Sequence, residues 1–162
     1  MRPYFFDASA IVKLLVVEKG SAKVREFCST SAMIRTTWLA LAEAYGVLKR
    51  RRRQEKWGDS QYDKKIFDLQ RYVQKRIKLH GPVDLPGPEF REVRKIQRHH
   101  NLDFSDALQI ALLRFGFYAA LTGDSRPVLV SADKKLLRAA KNENIVSWNP
   151  EKGTLPNGQH ET

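Results

Sequence analysis

Short apolar runs in this chain stop on an acid. "PYFF" is followed by Asp7, and "PVLV" by Ser131, Ala132 and Asp133. Such runs are too short for a helix and suit buried strands. "AMIRTT" and "NIVSW" read as strands as well. Between them lie longer stretches with apolar residues at helical spacing: "SAIVKLLVVE", "SAKVREFCSTS", "WLALAEAYGVLKRRRR", "SQYDKKIFDLQRYVQKRIKL", "PEFREVRKIQRHH", "SDALQIALLRFGF" and "DKKLLRAAKNE". Strands alternating with helices predict an α/β fold with a mostly parallel central sheet flanked by helices. Ligand sites in such sheets form at the carboxyl ends of the strands. Asp7 and Asp133 both stand at such ends, so their carboxylates are expected in one crevice.

Local signals place the boundaries. Asp7 and Ser9 are both good N-caps for the first helix. Trp38, Leu41, Ala42, Tyr45 and Leu48 make the apolar stripe of the third helix, which Gly58, Asp59 and Ser60 break. "HGPVDLPGP" is a connection, with a short strand read over 82–85 and Pro88 near the first position of the next helix. The organisation expected is a single domain over 1–150, a basic helical arm over about 49–79 within it, and a polar, flexible tail over 151–162.

Composition narrows the chemistry. At 162 residues the chain can bury a core without disulfides or a structural metal. Cys28 is its one cysteine, which excludes a disulfide framework and a Cys-based zinc site. No apolar run approaches a membrane span, and the N-terminus lacks a signal-peptide pattern, so a cytoplasmic protein is expected. Lys and Arg number 29 against 18 acids, a net charge of +11. Such an excess attracts polyanions, nucleic acid above all. Lys49, Arg50, Arg51, Arg52 and Arg53 are consecutive, and "RYVQKRIK" follows. The run fits phosphate contact with RNA or simply a solvated helix end.

The remaining acids stand out against this basic background. Glu43 lies among Ala42, Ala44 and Tyr45, near an apolar stripe. Asp103 and Asp106 are three apart at the head of a helix and share a side. Each has a plain reading, Asp103 as an N-cap, Glu43 as a solvated residue and Asp133 as a cap. Gathered in one cleft, such carboxylates repel one another and raise each other's pKa. A divalent cation removes that penalty, and oxygen-only ligands suit Mg²⁺ or Mn²⁺ over Zn²⁺. The four histidines show no zinc spacing, and the "HH" pair reads as a helix end or surface feature.

Four stretches in order resemble the PIN-domain family: "FFDASAIVKLL", "ALAEAYGVL", "LDFSDALQIALL" and "LVSADKKLLRAA". The likeness runs from Tyr4 to about Trp148. The opening "DASAIVKLLVVEKGSAKV" resembles VapC-type toxins of toxin–antitoxin pairs. The resemblance implies a PIN-like three-layer sandwich and a metal-dependent endoribonuclease using Mg²⁺ (or Mn²⁺). Asp7, Glu43, Asp106 and Asp133 would be its acidic, metal-holding set, Ser9 and Ser131 its hydrogen-bonding support, and Asp103 an extra acid. Metal-activated water would then cleave RNA to a 5′-phosphate and a 3′-hydroxyl. The partners implied are RNA, a cognate antitoxin protein and a second copy of the chain in a homodimer. PIN domains also serve in RNA processing and as non-catalytic RNA-binding modules, which usually lose acids; all four are present here. A haloacid-dehalogenase-like phosphatase also places an Asp after its first strand. That family carries a second Asp two residues on, where this chain has Ser9.

Overall fold

The computed structural model describes residues 2–30, 32–80 and 88–155. Five strands, β1 (Pro3–Phe6), β2 (Met33–Thr37), β3 (Ile77–His80), β4 (Val128–Val130) and β5 (Val146–Trp148), form one sheet in the order β3-β2-β1-β4-β5. Every pairing is parallel. The helices are α1 (Ala8–Leu15), α2 (Ser21–Ser29), α3 (Trp38–Gln54), α4 (Asp59–Lys75), α5 (Pro88–His100), α6 (Phe104–Phe115) and α7 (Lys134–Asn142). Short 3-10 turns at Phe117–Ala120 and Gly123–Ser125 lead into β4.

A parallel sheet needs cover on both faces, and alternation along each strand divides the core in two. Phe6, Ile34, Ile77, Val128 and Val130 pack with apolar residues of α1 to α4. Phe5 and Leu129 point the other way, against α5, α6 and α7. Full burial of each such side chain contributes about 1.5–3 kcal/mol. Because β1 is central and all strands run the same way, the carboxyl ends of β1, β2 and β4 meet at one rim.

Helical spacing extends from 60 to 79 in the sequence, but α4 ends at Lys75 and Ile77–His80 forms β3. Ile77 and Leu79 face the α1–α4 core while Lys78 and His80 face away. That alternation is only four residues long, too short to stand out against the helical pattern before it. The strand read over 82–85 lies outside the described residues. Trp38 also departs from its expected stripe. It is 57% exposed, because α3 starts at the rim and buries Ala40, Leu41, Ala44 and Leu48 instead.

The basic helical stretch is laid onto the body. Leu48, Trp57 and Leu69 enter the core. Lys65 Nζ donates to the Leu15 carbonyl at 2.9 Å. Arg51 pairs with Glu18, which also receives Lys13. Lys13 is 2% exposed, and its ammonium donates to Glu18 at 2.7 Å, Glu151 at 2.7 Å and the Lys19 carbonyl at 2.9 Å. These bonds tie α1, the α1–α2 loop and the segment after β5 together.

Gly20, the N-cap of α2, sits where this segment crosses. Its φ is +83°, and a Cβ there would lie 2.9 Å from the Pro150 carbonyl carbon and oxygen. Both the left-handed backbone and the clash penalise any side chain. Gly20→Ala is expected to lower unfolding stability by about 1–3 kcal/mol in urea denaturation. A neutral result would mean that the α2 start and Pro150 can separate freely.

Candidate active site

The opening acid is built into the rim by its neighbours. Asp7 follows β1 directly, its amide donates to the Val130 carbonyl at 3.2 Å, and its side chain caps α1. The residue is 4% exposed. Its Oδ1 accepts from Ser9 Oγ and from the Ala10 amide, each at 2.8 Å. Its Oδ2 accepts from Ser131 Oγ at 2.6 Å. Each hydroxyl is itself held by a backbone amide, Ser9 Oγ by Ala132 at 2.8 Å and Ser131 Oγ by Asp133 at 2.9 Å. A serine has one hydroxyl proton. Accepting from an amide while donating to Asp7 leaves each serine one orientation.

The other acids come from helix starts. Asp133 follows β4 and caps α7, accepting from the Lys135 amide at 2.7 Å and the Leu136 amide at 2.9 Å. Asp103 caps α6 by accepting from the Asp106 amide at 3.0 Å, so its plain reading is correct as structure. Asp106 lies in the first turn of α6, partly buried, and Glu43 is exposed in the second turn of α3.

Electrostatics brings these groups to one place. Burial chiefly, and then the charges of Asp103, Asp133, Asp7 and Glu43, push Asp106 up to about 7. Burial pushes Asp7 up to about 6 against the hydrogen bonds from Ser131, Ala10 and Ser9, with Asp133 adding repulsion. Glu43 is raised too, by burial and by Asp103 and Asp7. The Ser105 hydroxyl, close by but without a full hydrogen bond, and the charge of Arg50 pull Glu43 back. Among the described residues no three of these carboxylates bring oxygens within 4.8 Å of one another. The donor set is oxygen-only, mutually repulsive and partly buried. It fits a hard cation such as Mg²⁺, which keeps several waters and takes one or two carboxylates directly.

Elsewhere His99, His100 and Glu143 place ligand atoms within 4.8 Å. His100 Nε2 lies 2.6 Å from Glu143, and Arg114 pairs with the same carboxylate. Burial, then the charges of Arg114 and Arg138, hold His100 below its ordinary range. Two guanidiniums disfavour a cation there, so the "HH" pair ends α5 and latches it to α7.

The basic run divides. Lys49, Arg50 and Arg53 are exposed, and Arg50 is near enough to act on Glu43. Arg51 pairs with Glu18 and Glu55, and Arg52 with Asp59 beside the Tyr62 ring. Sequence reasoning missed Ser105, buried beside Glu43, although it stands one residue before Asp106 in "DFSDAL". It also missed His80, whose place at the rim depends on β3.

A family model for the PIN domain matches residues 4–142. The chain belongs to the PIN domain family. PIN domains are generally metal-dependent nucleases and typically use divalent metals, so nucleic acid is the substrate class of the family. The fold is shared with the crystal structure of PAE2754 from Pyrobaculum aerophilum, at TM-score 0.62 and 21% identity over 90% of this chain and 89% of that one. No curated protein matches the chain. Among the described residues of this PIN domain, no helix is long and apolar enough to cross a membrane.

The raised carboxyls make metal-free stability depend on pH. An acid whose folded pKa exceeds its unfolded value stabilises the fold below the unfolded value and loses that contribution as pH rises through the folded one. The window runs from the ordinary 3.8 to about 6 for Asp7 and to about 7 for Asp106. Chelated protein should therefore unfold at lower urea at pH 8 than at pH 5. Asp106→Asn should lose part of that difference and gain stability at pH 8. Equal pH dependence in the variant would show that Asp106 is not held among like charges.

Proposed function

We propose that this PIN domain is a Mg²⁺- or Mn²⁺-dependent endoribonuclease acting as the toxin of a toxin–antitoxin pair. The observation that carries the nuclease reading is the buried Asp7 carboxylate, held by Ser9, Ala10 and Ser131 and facing the repulsion of Asp106 and Asp133. Such an arrangement disfavours its own ionised form and favours a bound cation. The toxin reading is supported by the size of the chain and the opening "DASAIVKLLVVEKGSAKV", and the choice of RNA is in keeping with the net charge of +11.

Asp7 and Asp106 would hold the ion directly, with Glu43 and Asp133 completing the site directly or through water. A divalent ion supplies Lewis-acid polarisation of a phosphodiester and a lowered pKa for water. The chain's own residues do the positioning. Ser9 and Ser131 fix the Asp7 carboxylate in one orientation, as their amide partners dictate. Glu43, raised by burial and by Asp103 and Asp7, would add its carboxylate to the same site. Lys and Arg around the acids offset their repulsion of the RNA backbone. An antitoxin would silence the site by laying an acidic segment along the basic rim and a cationic side chain among the acids. A homodimer of the chain is part of this reading.

Asp7→Asn removes charge and little volume. It is expected to abolish metal-dependent RNA cleavage while the protein keeps its circular dichroism and binds RNA. Cleavage at the wild-type rate would overturn the mechanism. The toxin role is tested by co-expression with the product of the adjacent gene. Co-purification with loss of nuclease activity is expected, and a neighbour that neither binds nor inhibits would remove the toxin role.

A further inference from the structure

The sheet face that carries the acids also carries cations they do not use. Ile34, Ile77 and Leu79 belong to the α1–α4 core, so Arg35, Lys78 and His80 lie on the opposite face, where the His80 ring packs near Phe5 and Tyr118. The register pairs Phe5 with Arg35 and Arg35 with Lys78. One step toward the rim it pairs Thr37 with His80. Carrying the β1–β2 register forward brings Asp7 beside Thr37. Asp7, Thr37 and His80 thus form one row across the rim, and Phe5, Arg35 and Lys78 the row beneath. With strands about 4.8 Å apart, His80 stands roughly 10 Å from Asp7.

Two like charges meet in this patch. Arg35 and Lys78 are like charges directly opposite each other, which destabilises a sheet. Among the described residues neither forms an ion pair with a carboxylate. Arg35 Nε is buried without a hydrogen-bond partner, while its guanidinium reaches the Met33 sulfur at 3.5 Å and the Tyr118 side chain, neither of which carries a balancing negative charge. Lys78 is exposed on an edge strand. Edge lysines guard against strand pairing, but that role asks nothing of Arg35, whose strand is paired on both sides.

We propose that Arg35, Lys78 and His80 form an anion subsite that holds a backbone phosphate of RNA beside the scissile one. A phosphate between Arg35 and Lys78 turns their repulsion into two attractions. The guanidinium offers a planar fork and Lys78 a mobile point charge. Burial, then the charge of Arg35, hold His80 below its ordinary range. Its Nδ1 lies 3.5 Å from the Tyr118 hydroxyl, and the ring offers Nε2 for a hydrogen bond or a face for stacking. The subsite rests on the ribonuclease reading and deepens it.

The test uses full-length protein carrying Asp7→Asn, so that RNA stays intact, and a single-stranded RNA oligonucleotide titrated across a salt series. Lys78→Glu is compared with Lys64→Glu, the same charge change at an exposed position of α4. Lys78→Glu should weaken binding about tenfold more than Lys64→Glu at low salt, and flatten the log–log salt slope by about 0.7. It should melt no lower than its parent, since a like-charge pair is replaced by an ion pair with Arg35. Arg35→Gln should weaken binding in the same direction. Equal losses for Lys78→Glu and Lys64→Glu would overturn the subsite and leave the ribonuclease reading in place. An Asp7→Asn parent that does not bind RNA, with a wild type that does not cut it, would overturn both.

Discussion

The structure turns on a carboxylate almost wholly buried at the rim of the sheet. An isolated ionised group in such a position is expensive, and three donors offset the expense only in part. The donors come from both sides of the β1–β4 pairing: Ser9 and Ala10 follow β1, and Ser131 follows β4. Register between these two strands therefore determines whether Asp7 is satisfied. Phe6 opposite Val130 puts Asp7 level with Ser131. A slip by one residue would turn Ser131 to the other face of the sheet and leave Asp7 without that donor.

Around this centre the protein separates charge by position. Acids gather at helix starts near the strand ends, where helix N-termini favour negative charge. Cations fall on the helix surfaces and on the face of β2 and β3 that carries Arg35 and Lys78. Some are spent internally: Arg51 and Lys13 share Glu18, and Arg52 takes Asp59. The net positive charge in the composition is thus a poor guide to which cations remain for a ligand.

What the sequence made legible was local. β1, β2, β4, β5 and the seven helices among the described residues follow from apolar spacing and caps; Asp7, Asp103, Asp106 and Asp133 drew notice at strand ends and a helix start, and Glu43 by its place near an apolar helical stripe. What it hid depended on distance along the chain. The Arg51–Glu18 pair spans 33 residues, and no local pattern announces it. The four-residue β3 was masked by the helix running into it, and with it went the rim position of His80. Trp38 was misplaced because periodicity gives the face of a helix and not where cover begins.

The Ser131–Asp7 bond joins residues 124 apart. Its consequence lies in biosynthesis. A growing chain exposes Asp7 well before the partner that fixes it, because 124 residues must be added between the two. β1 likewise waits for β4 before it is enclosed on both sides. Non-local pairing of this kind is slow to form. The acidic centre therefore cannot assemble on a short nascent chain, and truncated products that end before β4 lack Ser131, Asp133 and the strand that carries them.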